Sequence, residues 1–249
     1  MHPARIAELL QPFVGAASLN ACHSEPGRTP GEEPAVALSY AQLNRISIYI
    51  DILLRWNARV NLTAIRDPEE IVSRHFGESL FAARRLFPTS APQDEVKNFS
   101  ASEASSTVRG LVRVADLGSG AGFPGIPIKI WAPDIALTLV ESNHKKATFL
   151  REVAHALTLT DINIQNARAE TVSAVFDVVT LRAVERFANI LPVAAQLLAP
   201  TARLALLISA KQLDATYSAL PNFAWAQPDP VPQSQSRVLL IGKCNLLGT

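Results

Sequence analysis

The chain is poor in sulfur and in aromatic side chains. Its 249 residues include two cysteines, one methionine, three tryptophans and three tyrosines. Neither Cys22 nor Cys244 has a nearby partner at metal-ligand spacing, so no metal centre is expected. Both read as free thiols of a reducing cytosol, which makes a cytoplasmic location the expectation. No stretch of about 18 uninterrupted apolar residues occurs, so no membrane span is expected. Residues Met1 to Gln11 lack a long apolar core and carry Glu8, unlike a secretory leader. Charge of one sign is also missing, with 23 Lys and Arg against 22 Asp and Glu. Such a balance gives no bulk attraction to nucleic acid, although a local basic patch suffices for binding.

What is present is a globular composition, 48 % hydrophobic and 18 % charged, on a chain long enough to bury a sizeable core. Residues 3–14 carry Ile6, Leu9, Leu10 and Phe13 on one helical face. Ser39 is a candidate N-cap for a helix over 40–57, along which Leu43, Ile46, Ile50, Leu53 and Leu54 recur at helical spacing. Asp67-Pro68 announces a second helix bearing Ile71, Val72 and His75, and a third is expected over 78–86. Two polar stretches, 15–37 and 88–109, lack apolar period and read as a flexible loop and a mobile linker. The expected division is thus a helical region over 1–87, a linker, and a main domain over 110–249.

From Leu111 onward short β-rich runs alternate with helical ones. Strands are expected at 112–117, 137–141, 162–165, 177–181 and 203–208, with a final pair near 223–226 and 238–241. Helices are expected at 124–132, 144–157 and 187–198. This alternation predicts an α/β fold, a mostly parallel twisted sheet with helices on both faces. A ligand of such a sheet binds beyond the carboxyl ends of its central strands.

Asp116-Leu117-Gly118-Ser119-Gly120-Ala121-Gly122 stands at such an end. Gly118, Gly120 and Gly122 permit positive φ and close approach of a ligand to the backbone. The pattern fits a nucleotide-like ligand, with a purely structural turn as the alternative; it is not the G-x-G-x-x-G of dinucleotide binders. Glu141 closes the next strand about 20 residues on, where a carboxylate can accept both ribose hydroxyls or cap a helix. Arg168-Ala169-Glu170 follows the third strand, either beside an adenine ring or as a solvated turn. Asp116 can hold an amino group near the glycines or cap the loop. Arg182 ends the fourth strand and suits cofactor, RNA phosphate or a structural ion pair. His75 suits structure or substrate positioning better than proton transfer. Lys145, Lys146, Arg151, Arg45, Arg55, Arg59, Arg66 and Arg74 are scattered cations that suit phosphate or plain solvated faces. Trp56 suits packing better than stacking on a base.

The ordered series Trp56-Asn57, Asn61-Leu62-Thr63-Ala64-Ile65, Arg74-His75 with Glu78-Ser79-Leu80, residues 116–127, Glu141-Ser142 with Lys145-Lys146, Arg168-Ala169-Glu170 and Arg182-Ala183 resembles the RsmG (GidB) family over about residues 40–210. That family comprises bacterial 16S rRNA methyltransferases acting on guanine N7. The resemblance implies a Rossmann-like class I methyltransferase fold and S-adenosyl-L-methionine as cofactor. It implies contacts from Gly118, Phe123, Ala169, Glu170 and Arg182, with Glu141 at the ribose, beside Gly120 and Gly122 of the loop. The implied target is guanine 527 in the 530 loop of the small ribosomal subunit, for an enzyme expected to be a monomer without metal or membrane. Two positions depart from the pattern. Glu78 stands where aspartate is usual, and Leu207-Ile208-Ser209-Ala210 lacks the strand-end lysine many members carry.

Guanine N7 has a free lone pair, so its methylation needs no obligatory base. No nucleophile–base pair stands out in the sequence, which accords with catalysis by alignment, with His75 and Arg182 as candidates for substrate positioning. The residues alone leave open a small-molecule methyltransferase, an NAD-dependent oxidoreductase on a related sheet, and a ribosome-binding protein without activity.

Overall fold

The structure is a computed structural model in which residues 1–15, 38–88, 110–184 and 187–244 are described. The stretches 15–37 and 88–109, and Cys22 with them, lie almost wholly outside those residues. Helix α1, Pro3–Val14, starts on His2, whose ring accepts from the Ala4 amide, and buries Ile6, Leu10 and Phe13. Helix α2, Tyr40–Asn57, starts on a reciprocal capping box between Ser39 and Gln42. Asp67 caps α3, Pro68–Ile71, by accepting from the Glu70 amide. Two separate helices were expected between Asp67 and Leu86. Instead the chain runs on through a π-helical turn, Val72–Gly77, into α4, Glu78–Leu86. Gly77 takes helical angles (φ −56°, ψ −54°), so nothing interrupts the run. The π turn admits one extra residue and offsets the faces on either side of it.

The remaining elements are β1 (Val112–Leu117), α5 (Gly125–Trp131), β2 (Ile135–Val140), α6 (His144–Ala156), β3 (Ile162–Gln165) and β4 (Phe176–Arg182). They are followed by α7 (Phe187–Gln196), β5 (Leu198–Ser209), α8 (Leu213–Ala219), β6 (Phe223–Trp225), β7 (Asp229–Pro230) and β8 (Arg237–Cys244). The sheet order is β3-β2-β1-β4-β5-β8-β6, with β7 also paired to β8. Strands β1 to β5 are parallel, while β8 is antiparallel to β5 and to β6. The chain winds outward in one direction from β1 through β2 and β3, and in the other from β4. The β1/β4 junction is therefore the topological switch point, where a crevice opens.

Successive residues of β1 serve opposite faces. Val114 joins the apolar cluster under the N-terminal helices, while Ala115 and Leu117 join the cluster under α7 and α8. The first cluster is continuous from Ile6 and Phe13 through Ile46, Phe76 and Leu80 to Leu137 and Leu139 of the sheet. The N-terminal helices therefore share one core with the sheet.

Tyr49 of α2 is a fully buried link in that core. Its hydroxyl donates to the carbonyl of Ala121 in the glycine loop, and burial pushes its pKa up, keeping the proton in place. Its ring stacks on Phe123 at 5.4 Å and meets Phe76 edge-on at 5.2 Å. Tyr49→Phe should keep the packing but leave the Ala121 carbonyl unpaired. A loss of about 1–3 kcal/mol is expected in urea unfolding, and an unchanged midpoint would mean that the bond stabilises nothing.

Candidate active site

A cleft of about 440 Å³ opens at the switch point. Gly118, Ser119, Gly120, Ala121 and Phe123 line it from the end of β1, Glu141 to Asn143 from β2, and Arg182 to Val184 from β4. Leu62, Thr63 and His75 close it from the helical layer, and Lys146 from α6. The sheet supplies one wall and the N-terminal helices the other.

The glycine loop has two sides. Gly120 has φ +56°, and a Cβ built there would meet only the Gly118 carbonyl oxygen at 3.8 Å, so this position faces open space. Gly122 has φ +86° and faces the protein, where a Cβ would collide with the Tyr49 hydroxyl and Ile126. Both need glycine, Gly120 for the cleft and Gly122 for packing against α2. Glu141 braces the loop from the neighbouring strand. One oxygen accepts from the Gly120 amide at 2.8 Å and the other from the Asn143 amide at 2.7 Å. It is thus both a loop anchor and a wall of the cleft. Asn143 in turn caps α6 by accepting from the Lys145 and Lys146 amides. Asp116 points inward: its carboxylate accepts from the Thr180 hydroxyl at 2.9 Å and from the Gly125 amide at 3.2 Å. Of its two sequence readings, the structure has the cap.

Opposite the loop lies a buried charge cluster. Arg182 donates to one Glu78 oxygen through Nε (3.2 Å) and Nη2 (2.9 Å), and Nη2 also reaches the Arg74 carbonyl at 2.8 Å. The other Glu78 oxygen lies 3.4 Å from Arg237 and 3.6 Å from Arg74. Arg182 Nη1 approaches His75 Nδ1 at 3.1 Å, and His75 Nε2 lies 2.7 Å from the Thr63 hydroxyl. The imidazole stacks on Phe123 at 4.8 Å. Burial, then the Arg182, Arg74 and Arg237 charges, push the His75 pKa down to about 3. The ring is neutral at physiological pH and is no proton acceptor there.

Among the sequence-derived site residues, Gly118, Gly120, Phe123, Glu141, Arg182 and His75 converge on the cleft. Gly122 supports the loop from behind. Ala169 is buried at the start of a 3-10 turn, in the cluster with Ala115 and Val140, and Glu170 is exposed beside it; neither lines this cavity. Lys146 reaches the cleft, Lys145 and Arg151 are exposed, and Arg74 is committed to Glu70 and Glu78. Trp56 packs edge-on to Phe149 at 5.8 Å and donates to Glu152. Sequence reasoning attached no role to Thr63 or Asn143. The available signal for Thr63 was Asn57, at a helix end six residues earlier, where an amide side chain can clasp a returning backbone.

Solved structures share this architecture. A ribosomal protein L11 methylase from Lactobacillus delbrueckii subsp. bulgaricus matches with TM-score 0.53 and 17% identity, over 69% of this chain and 79% of that one. TrmN from Thermus thermophilus matches with TM-score 0.50 and 20% identity, over 70% and 53%. The fold is the Rossmann-like fold of class I methyltransferases. The family model described as rRNA small subunit methyltransferase G matches residues 42–91 and 94–224, and the chain belongs to that GidB family. Curated relatives called ribosomal RNA small subunit methyltransferase G include those of Desulfitobacterium hafniense (39% identical, 69% of this chain and 65% of the relative) and Xanthomonas campestris pv. campestris strain B100 (42%, 61% and 62%). A third, from Xylella fastidiosa strain 9a5c, is 38% identical over 65% of this chain and 68% of its own. The matched region thus spans less than two thirds of the first two relatives' length.

Burial raises the Asp116 pKa to about 6, against opposing bonds from Thr180, Gly125 and Ser119. Ionising it costs the fold more than the unfolded chain. Its stabilising contribution is therefore complete below about pH 4 and is lost as the pH rises through about 6. Replacement by a neutral amide removes this dependence. The stability of Asp116→Asn relative to the parent should improve by on the order of 3 kcal/mol between pH 4 and pH 8. Urea unfolding across that range checks it; a constant difference would contradict an elevated pKa.

Proposed function

We propose that this chain is an S-adenosyl-L-methionine-dependent enzyme that methylates N7 of guanine 527 in the 530 loop of 16S rRNA. The observation that carries the reading is the cleft at the switch point, walled by a glycine loop and a strand-end carboxylate, in a chain of this family. Its volume of about 440 Å³ falls in the range of small-molecule sites. The residues fit the cofactor. Gly120 leaves room for a ligand against the backbone. Each Glu141 oxygen keeps a lone pair after accepting its backbone N–H, enough for two ribose hydroxyls. Gly118 and Gly120 form the floor, Phe123 and Arg182 the wall, and Gly122 holds the floor against α2. Ala169 and Glu170, just past β3, are assigned to the adenine edge.

When bound, the cofactor supplies a methyl carbon activated by a positively charged sulfur. The chain's own work is alignment and exclusion of water. The Phe123 ring, stacked on both Tyr49 and His75, gives the cleft an aromatic wall. His75 stays neutral and takes no proton, as the chemistry of N7 allows. Lys146 at the cleft, exposed Lys145 beside it in sequence, and exposed Arg59 and Arg66, which flank the cleft residues Leu62 and Thr63 in sequence, would meet phosphates of the small ribosomal subunit. We read the protein as a cytoplasmic monomer, composed of a helical region over 1–87, a linker over 88–109 and the Rossmann-like domain over 110–249. No helix among the described residues is long and apolar enough to cross a membrane, and no group of potential metal ligands occurs among them.

The decisive test is tritium transfer from labelled cofactor to small ribosomal subunits and to small acceptors, with mass spectrometry of the product base. N7-methylguanine at position 527 is the expected product. Labelling of small acceptors alone, or tight NAD binding without S-adenosylmethionine binding, would refute the reading. Gly120→Val fills the open side of the loop and adds about 1–2 kcal/mol of backbone strain at positive φ. It should abolish cofactor binding in a protein that still unfolds cooperatively. Retained affinity measured by calorimetry would move the cofactor elsewhere.

A further inference from the structure

The Thr63 hydroxyl is held in a one-way hydrogen-bonding role at the mouth of the cleft. Arg182 is the starting point, because a guanidinium only donates. With Arg182 Nη1 at 3.1 Å, His75 Nδ1 must present its lone pair, and the single ring proton therefore sits on Nε2. That N–H donates to Thr63 Oγ1 at 2.7 Å. The Ile65 amide donates to the same oxygen at 3.1 Å. A hydroxyl accepts two bonds and donates one. Both accepting positions are filled, so the remaining capacity of Thr63 is its own proton. No acceptor for that proton occurs among the described residues, and Thr63 lines the cavity.

The backbone around Thr63 is equally constrained. Buried Asn57, the last residue of α2, accepts from the Leu62 and Thr63 amides at 2.9 and 3.0 Å. Its amide group donates to the Thr63 carbonyl at 2.9 Å. Three bonds from one side chain clasp the segment, so the hydroxyl is presented without an entropic cost of ordering it at each encounter. Behind it, the chain of donors runs from Arg182 through His75 to Thr63 in one direction. Linked donors of this kind polarise one another toward the cavity. The arrangement suits an acceptor atom and rejects a donor.

We propose that Thr63 is a specificity-determining residue whose hydroxyl donates to O6 of the target guanine, resting on the rRNA reading above. On its major-groove edge guanine carries O6 beside N7, both acceptors, whereas adenine carries an N6 amino donor beside N7. An ordinary hydroxyl could turn and accept from adenine. Thr63 cannot, because His75 and Ile65 already occupy its lone pairs.

The test uses small-subunit particles reconstituted with 16S rRNA carrying guanine, hypoxanthine or 2-aminopurine at the target position. Hypoxanthine keeps O6 and 2-aminopurine lacks it. The wild-type protein should methylate guanine and hypoxanthine with similar kcat/KM and 2-aminopurine at least about tenfold less well, the value of one hydrogen bond. Thr63→Val should lower kcat/KM on the first two bases by about tenfold or more and erase the preference over 2-aminopurine. Thr63→Ser should restore it, and S-adenosylmethionine affinity should stay within twofold in both. A preference retained in Thr63→Val, or cofactor affinity falling in step with activity, would overturn the assignment. Equal use of hypoxanthine and 2-aminopurine by the wild type overturns it without any variant, should Thr63→Val fail to fold. A wild type that methylates no guanine-bearing particle defeats the rRNA reading and this assignment together. One that does so but ignores O6 defeats the assignment alone.

Discussion

The bond between Glu78 and Arg182 is the constraint on which the site depends. It joins a helix of the N-terminal layer to the carboxyl end of a central strand, across 104 residues of sequence. Both side chains are almost fully removed from water. Desolvating them is expensive, and the pair persists because Arg182 spends its donors on Glu78, His75 and the Arg74 carbonyl together. The benefit is geometric more than energetic. Arg182 fixes the tautomer of His75, His75 orients Thr63, and Phe123 is held between the helical layer and the loop. Two further guanidiniums, Arg74 and Arg237, lie within ion-pair distance of the second Glu78 oxygen.

A second consequence is that the N-terminal helices are part of the site and not an appendage to it. The glycine loop is gripped on one side by Glu141 from the sheet and on the other by Tyr49 from α2. Gly120 turns its bare face to the cavity, and Gly122 turns its own to the tyrosine. Neither layer alone would hold the loop in position. The continuous apolar cluster running from α1 to β2 makes the two layers one packed body, so a change in α2 is felt at the glycine loop of the cleft.

Local signals served well where the physics is local. Ser39 marked the start of α2, Asp67-Pro68 marked α3, and the strand-like run at 112–117 ended in glycines where β1 ends. Helix α8 escaped notice because only Thr216 of its seven residues is buried, leaving no apolar period to detect. The early part of β5 escaped because Pro200 argues against a strand; the chain there pairs with β4 through a shifted register, with Pro200 exposed. The helix expected to reach 198 stops at Gln196, and β5 starts at Leu198. Site residues followed the same rule. Those at strand ends, Gly118, Gly120, Glu141 and Arg182, follow from the alternating pattern plus the rule that ligands bind at a switch point. Ala169 and Glu170 rested on resemblance, and the cavity wall stops short of them.

Legible in the sequence alone were most of the elements, their α/β order, the glycine loop at the end of β1, and the family. These depend on side-chain periodicity, capping chemistry and glycine geometry, all of which act within a few residues. What only the tertiary structure decided was which polar groups meet. Asp116 became a buried cap and not a cleft carboxylate. Glu78 found Arg182 and Arg237. His75 lost its capacity to take a proton because burial and three guanidiniums oppose its charge. Thr63 acquired a directed proton because both its lone pairs were claimed from elsewhere. The physical reason is that each outcome is a balance of donors, acceptors and desolvation, and that balance exists only after distant segments have been packed together.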